Sequence, residues 1–206
     1  MRRLTVILSV LFMLCSTAYA DPAVDPTTVL KQMTSKTIAE LQKDKSSIKT
    51  DKTAVYGIIK RYLMPHVDTD LMSASVLGRA TWTKATAPQK KEFVGLFTQL
   101  LIHTYSAALA SYTNEDVTFA PIRGGYQGKM IVQVSGTIER KDAPSVDVVY
   151  HMADSHNQWM VYDLSIEGIS MLQSYKTQFE QIVKNQGMTG LLKTLKQHIQ
   201  QMKQSS

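Results

Sequence analysis

Cysteine is nearly missing from this chain. The single one, Cys15, lies in the first twenty residues. A chain without that segment has no disulfide to close and no thiol to offer a metal. Short catalytic motifs are missing too: there is no GxSxG elbow, no phosphate-cradling GxxxxGK[ST] loop and no dinucleotide GxGxxG run. The stretch Gly124 to Gly128, "GGYQG", reads as a loop between strands, because no helix follows it to receive a phosphate. The histidines, His66, His103, His151, His156 and His198, form no HxxxH pair, so their spacing gives no argument for a metal centre. Internal repeats and low-complexity tracts are absent. Beyond the first twenty residues, no uninterrupted apolar run approaches the roughly 20 residues that a bilayer span needs.

What is present begins with a leader. Arg2 and Arg3 precede an apolar run from Leu4 to Leu14, and "AYA" (residues 18–20) offers a small-x-small cleavage site. This pattern predicts a secretory signal peptide over residues 1–20, cut between Ala20 and Asp21, and one domain over residues 21–206. Leu14 stands before Cys15 where a lipoprotein signal wants a small residue, and paired arginines alone do not define the twin-arginine route. Cleavage removes two of the 23 basic residues, leaving 21 against 17 acidic ones and a formal charge of +4. Many lysines fall between Lys31 and Lys60, along helical segments. They form either a solvated face or one that lies near anionic lipid headgroups, where each contributes about 1 kcal/mol. An exported chain without basic-aromatic interleaving gives no reason to expect nucleic acid.

Periodicity then sets the fold class. Val29, Leu30, Met33, Ile38 and Leu41 recur at helical spacing from Pro26 to about Lys45, and Val55, Ile58, Ile59, Tyr62 and Leu63 repeat more regularly before Pro65 ends their helix. A short helix is expected from Thr69 to Leu77, with Gly78 as its stop. Thr86, Pro88 and Gln89 announce the longest helix, to about Tyr112, through a capping box and a first-turn proline. Its stripe of Phe93, Leu96, Phe97, Leu100, Leu101, Tyr105, Ala108 and Leu109 is wide enough to lie on a sheet.

Strands come next, in four alternating rows. Val117 and Phe119 start the series, followed by Met130, Val132, Val134 and Ile138, then by Val146, Val148, Tyr150 and Met152. In the last row Met160, Tyr162, Leu164 and Ile166 are expected to face inward, opposite Trp159, Val161, Asp163 and Ser165. Ser170 and Gln173 then read as a capping box, opening a helix that stops near Gly187, with a final helix after Thr189. The expected fold is α+β: a curved antiparallel sheet of about four strands, covered on one face by helices and enclosing an apolar pocket.

Candidate chemistry is sparse. His66 and Asp68 flank a turn and are the nearest approach to a catalytic dyad. Glu167 and Asp163 read as a solvated turn residue and a structural one. No nucleophile has a base at a recognisable spacing, and neither a catalytic group nor a cofactor is assigned. Eleven methionines against five phenylalanines suggest an adaptable interior.

Three segments carry a resemblance. "VLGRATWTKATAPQKKEFVGLFTQLL" (76–101), "QWMVYDLSIEGISMLQSYKTQFEQIV" (158–183) and the turn "MPHVD" stand in the order, and have the character, of segments in the MlaC family of toluene-tolerance auxiliary proteins. The helix start "TAPQ" departs from the family's usual Thr-Pro, and the linker from Gly78 to Thr86 is longer. The resemblance implies a non-enzymatic periplasmic phospholipid carrier. Its acyl chains would lie in a hollow between sheet and helices, with the headgroup in water. It also implies lipid traffic between an outer-membrane complex with MlaA and an inner-membrane ABC transporter with its MlaD ring, transient contact with membrane surfaces, and maintenance of outer-membrane asymmetry. On that basis the expected walls are Phe93, Phe97, Leu100, Leu101 and Tyr105 from the long helix. Met130, Val132, Val134, Val148, Tyr150, Tyr162, Leu164 and Ile166 would come from the sheet, and Ile169, Met171 and Tyr175 from the final corner. The alternative is a small-ligand-binding protein or enzyme of the cone-shaped nuclear-transport-factor-like type, which would need a polar catalytic pair among those inward rows.

Overall fold

The computed structural model describes residues 24–50, 53–111, 115–141, 143–155 and 157–204. The expected signal peptide, Tyr112 and His156 lie outside the described residues. Helices come first: α1 (Pro26–Lys43), α2 (Lys45–Thr50), α3 (Ala54–Ile58), α4 (Thr69–Lys84) and α5 (Ala87–Ala110). Five strands follow, β1 (Asp116–Phe119), β2 (Ile131–Glu139), β3 (Val146–Ser155), β4 (Gln158–Ile166) and β5 (Ile169–Ser170), and α6 (Met171–Gln204) closes the chain. The strands form one open antiparallel sheet in sequence order. The order helices, sheet, helices is the one expected, with the two-residue β5 as an addition.

Helix ends follow local chemistry. The Asp25 carboxylate accepts the Thr27 N–H at 2.7 Å, and Pro26 occupies the first turn of α1. Thr86 and Gln89 close the capping box of α5 in both directions. Gly78 and Gly187, at φ 71° and 68°, interrupt α4 and α6 where stops were expected; helix resumes after Gly78, so residues 79–84 are not a plain linker. After α3 the chain makes a π turn (Ile59–Leu63) and a 3-10 turn (Met64–His66) around Pro65, which has no N–H to continue a helix. Val67 then forms a parallel bridge to Val161, and the Asp68 N–H donates to the Val161 carbonyl at 2.9 Å. Strand β4 is thereby tied to the helical half of the molecule.

That tie coincides with an irregularity in β4. Met152 pairs with Val161 and His151 with Asp163, which leaves Tyr162 without a partner in the ladder. Such a β-bulge shifts side-chain parity by one residue. Trp159 and Val161 therefore share a face with Leu164 and Ile166, and Met160 and Tyr162 do not. The expected uniform inward row of Met160, Tyr162, Leu164 and Ile166 is corrected accordingly.

Apolar side chains collect in three clusters. A sheet cluster joins Val132, Val134, Met152, Trp159 and Val161 to Leu30 and Met33 of α1. A helix cluster joins Val76 and Leu77 of α4, Phe93, Phe97 and Leu100 of α5, and Leu172, Phe179, Leu191 and Leu195 of α6. The third gathers Leu41, Ile48, Val55, Ile58, Ile59 and Ile102. The stripe of α5 thus packs mainly on α4 and α6, where the sequence suggested the sheet. The reason is aromatic complementarity. Phe97 lies edge-on to Phe179 at 5.6 Å and to Tyr175 at 5.4 Å, and Phe93 lies edge-on to Phe179 at 5.8 Å. By length and composition α5 would also suffice to cross a membrane, although Thr98, Gln99 and His103 interrupt its apolar runs; here its caps and its aromatic face are built into the fold.

Candidate functional site

The sheet face is built from cross-strand rows. Val132, Met152 and Val161 form one row, Val134, Tyr150 and Leu164 the next, and Gly136, Val148 and Ile166 the third. Gly136 is needed where it stands. A Cβ there would lie 3.0 Å from the Thr118 carbonyl, 3.2 Å from the Phe119 ring and 3.3 Å from the Tyr150 ring. Its absence lets Phe119 and Tyr150 approach across β2 with centroids 5.6 Å apart. Burial in this apolar setting pushes the Tyr150 phenol up to about 12. Over the end of the face, the loop of Gly124 to Gly128 brings Tyr126 edge-on to Trp159, and the Lys129 ammonium ties that loop by donating to the carbonyls of Gly124 and Gly125.

The expected wall residues fall into separate sets. Val132, Val134, Val148, Tyr150, Leu164 and Ile166 share the sheet face. Phe93, Phe97, Leu100, Leu101 and Tyr175 belong to the helix cluster, and Tyr162 joins them there because the bulge turns it away from the sheet face. Tyr105 is half-buried; burial first, and then Tyr175, raise its phenol. Met130 and Ile169 are 69% and 67% exposed, and Met171 is half-buried. Alternation places Met152 on the inward row of β3, but the expected walls do not include it, and Trp159 and Val161 were expected on the opposite face. Only the apolar character of Trp159 and Val161 could have flagged them, since β4 is apolar on both sides up to Tyr162.

The corner after β4 is organised by a buried carboxylate. Asp163 is 7% exposed; its Oδ1 accepts the N–H groups of Leu164 (2.8 Å) and Leu172 (3.1 Å), and its Oδ2 accepts the Ser170 hydroxyl (2.6 Å). Ser170 in turn accepts the Gln173 N–H at 3.1 Å, the cap that its position predicted. Glu167 and Gly168, at φ 50° and 77°, make the two-residue turn from β4 to β5, a conformation that favours glycine at the second position. Glu167 is not simply solvated: its carboxylate accepts the Asp147 N–H at 2.7 Å.

The polar candidates resolve into structural roles. Asp68 accepts the Leu71 N–H, capping α4, and the Ser155 hydroxyl, and burial and the Lys36 charge lower the His66 pKa. His151 Nε2 lies 3.1 Å from Ser165 Oγ, but both oxygens of the neighbouring Asp163 are committed to the corner. Among the described residues, no group of three or more His, Cys, Asp or Glu is placed to hold a metal ion. Two open cavities stand apart from the expected walls. One, of about 510 Å³, lies between α1 and β1, lined in part by Lys31, Thr34, Ile38, Asp116, Val117 and Phe119. The other, of about 310 Å³, lies between Tyr56 and Lys60, Gln99, Ile102 and His103 of α5, and Lys203 of α6.

These features define an α+β protein in which a helix-backed antiparallel sheet and a helical bundle each bury an apolar surface, joined at β4. Comparison with known proteins gives the family. Residues 31–197 match the model of the MlaC protein family, and the chain belongs to it. It is 24% identical over 192 residues to the intermembrane phospholipid transport system binding protein MlaC of Haemophilus influenzae, covering 92% of this chain and 88% of that one. With the toluene tolerance protein ttg2D of Pseudomonas putida it shares 26% identity over 164 residues, 79% of this chain and 74% of the relative. The solved structure of a phospholipid-binding protein from Ralstonia solanacearum, in complex with a phospholipid, superposes with a TM-score of 0.80 at 27% identity, covering 86% of this chain and 98% of that one.

Proposed function

We propose that this protein is a periplasmic phospholipid carrier that works by burying acyl chains, without covalent chemistry. The observation that carries the reading is the likeness, over nearly the whole fold, to a phospholipid-binding protein solved with a phospholipid bound. The physics is sufficient for the task. A buried methylene is worth about 0.8 kcal/mol, so one long acyl chain supplies on the order of 10 kcal/mol. A carrier must only match what a bilayer offers, and apolar walls without directional contacts accept varied chains.

The walls in this proposal are the expected ones, with the modification that the geometry suggests. Val132, Val134, Val148, Tyr150, Leu164 and Ile166 serve from the sheet, together with Met152, Trp159 and Val161. Phe93, Phe97, Leu100, Leu101, Tyr105, Tyr162 and Tyr175 serve from the helical side. Chains would enter by parting two clusters that are separately packed. Met130, Ile169 and Met171 would lie at the rim. The carrier would take lipid between an outer-membrane complex containing MlaA and an inner-membrane ABC transporter with its MlaD ring, after export through a cleaved leader.

Native mass spectrometry of the mature protein, followed by lipid extraction and uptake from vesicles, tests the reading. Phospholipid at a defined stoichiometry is the expected result. Val132→Trp and Leu164→Trp should each reduce uptake while the circular dichroism spectrum stays unchanged. A lipid-free mass with no uptake from vesicles would overturn the function; uptake that persists in both folded variants would overturn the placement of the walls.

A further inference from the structure

We propose that the 310 Å³ cleft between α3, α5 and the end of α6 is a phosphate-binding site, separate from the acyl-chain walls. Its lining is Tyr56, Lys60, Gln99, Ile102, His103 and Lys203, with no carboxylate among them. Two cationic side chains thus border one cleft, and among the described residues neither Lys60 nor Lys203 is in an ion pair. The Lys203 ammonium donates to the neutral Gln99 Oε1 at 3.3 Å. Like charges facing a shared space repel, and an anion between them converts that repulsion into attraction.

The remaining lining suits a tetrahedral oxyanion. His103 Nδ1 lies 2.8 Å from the Tyr56 hydroxyl, and the two rings meet edge-on with centroids 4.6 Å apart, which fixes the imidazole. When the phenol donates to Nδ1, the ring proton sits on Nε2 and is available to an acceptor. Burial, then the charges of Lys203 and Lys60, holds the His103 pKa below its usual value. The ring therefore acts as a neutral donor between two cations and does not add a third charge. Buried Ile102 forms the apolar floor, where charge-assisted hydrogen bonds strengthen.

The site also lies on its own side of α5. At about 100° per residue, Gln99 and Ile102 stand about 200° around the helix from Phe97 and Leu100, respectively. An anion held there need not touch a chain held among the aromatic rings. The chemistry is that of phosphate, which reaches an exported protein either as the free ion or as a lipid headgroup at a bilayer surface.

The test uses the mature protein and the variant Lys60→Gln/Lys203→Gln, which changes exposed side chains only. Inorganic phosphate is titrated at constant ionic strength while nitrogen-15 NMR follows Tyr56, Gln99 and His103. Binding to vesicles of phosphatidylglycerol and phosphatidylcholine is followed by flotation. Saturable shifts at those three residues, weakened tenfold or more in the variant, establish a site for free phosphate. Vesicle binding that the variant loses, with free phosphate silent, establishes the same site for a headgroup. Failure of both probes to bind, or binding that the double variant retains, overturns the proposal. Acyl-lipid loading measured on the variant by native mass spectrometry should be unchanged, which keeps this result distinct from the carrier reading.

Discussion

Replacing Asp163 tests the corner on which the last helix turns. The carboxylate is buried and accepts three hydrogen bonds, two from backbone amides and one from Ser170. A hydrogen bond to a charged group contributes about 1.5–3 kcal/mol, and a buried donor left without a partner loses its desolvation energy as well. Leu172 is buried, whereas Leu164 and Ser170 are half-buried, so water can recover part of the loss at the latter two. Asp163→Ala should therefore destabilise the fold by about 3–5 kcal/mol, short of the full sum. Asp163→Asn keeps an oxygen for both amides, which share Oδ1, and disturbs only the Ser170 bond. It should cost about 1–2 kcal/mol. Urea unfolding of both variants gives the two values from midpoint and slope, and hydrogen exchange at the Leu164 and Leu172 amides localises them. If the alanine variant loses less than about 1 kcal/mol, or if both variants lose equal amounts, the carboxylate does not hold the corner by these bonds.

Tyr150 predicts alkaline instability: burial raises its pKa to about 12, above the unfolded value of about 10, so the native state keeps the proton longer and stability falls as pH rises between those values. The loss should approach about 3 kcal/mol by pH 12, and Tyr150→Phe should flatten that part of the urea-midpoint profile; an identical profile would refute burial as the cause. Phe97→Ala should cost about 3–5 kcal/mol in thermal or urea unfolding, because the ring is 1% exposed and meets three other aromatic rings; a cost near 1 kcal/mol would remove it from the core. At Gly78 (φ 71°, ψ 156°) an added Cβ finds its nearest neighbour at 3.9 Å, so Gly78→Ala should lose about 1–3 kcal/mol through backbone strain alone, and a neutral result would show that the break in α4 relaxes.

Legibility in the sequence tracked how local the governing chemistry was. Thr86 with Gln89, Pro88, Gly78, Ser170 and Gly187 each act within a few residues, and the helices start or break where those residues stand. The inward rows of β1 to β3 also read correctly through most of their length, because alternation against a buried face is imposed residue by residue. Met130 is exposed because it stands outside β2, before the ladder that would have given it a face. The partner of α5 was not legible: a wide apolar stripe specifies burial without specifying the surface that supplies it, and Tyr175 and Phe179 lie far along the chain from the Phe97 they meet.

Strand β4 carries both the main misreading and its consequence for the site. Its residues Trp159 to Tyr162 are apolar at both parities, so no alternation argument there could place the extra residue, although Asp163 to Ile166 alternate cleanly. Two distant features coincide with it: the Val67 bridge and Asp68 hydrogen bond at Val161, and the inward turn of Asp163 beneath Ser170 and Leu172. Because of the bulge, Trp159, Val161, Leu164 and Ile166 face the sheet cluster, and the intervening Tyr162 packs with the helix cluster. One strand thus contributes to both apolar surfaces. Any separation of those surfaces to admit an acyl chain must keep β4 attached to both, and so would open like a hinge with its pin at Val161 to Asp163. In the proposed carrier the bonds of Asp163 would then bear on lipid entry as well as on stability: loosening them should change how readily the surfaces part before it changes what lines them.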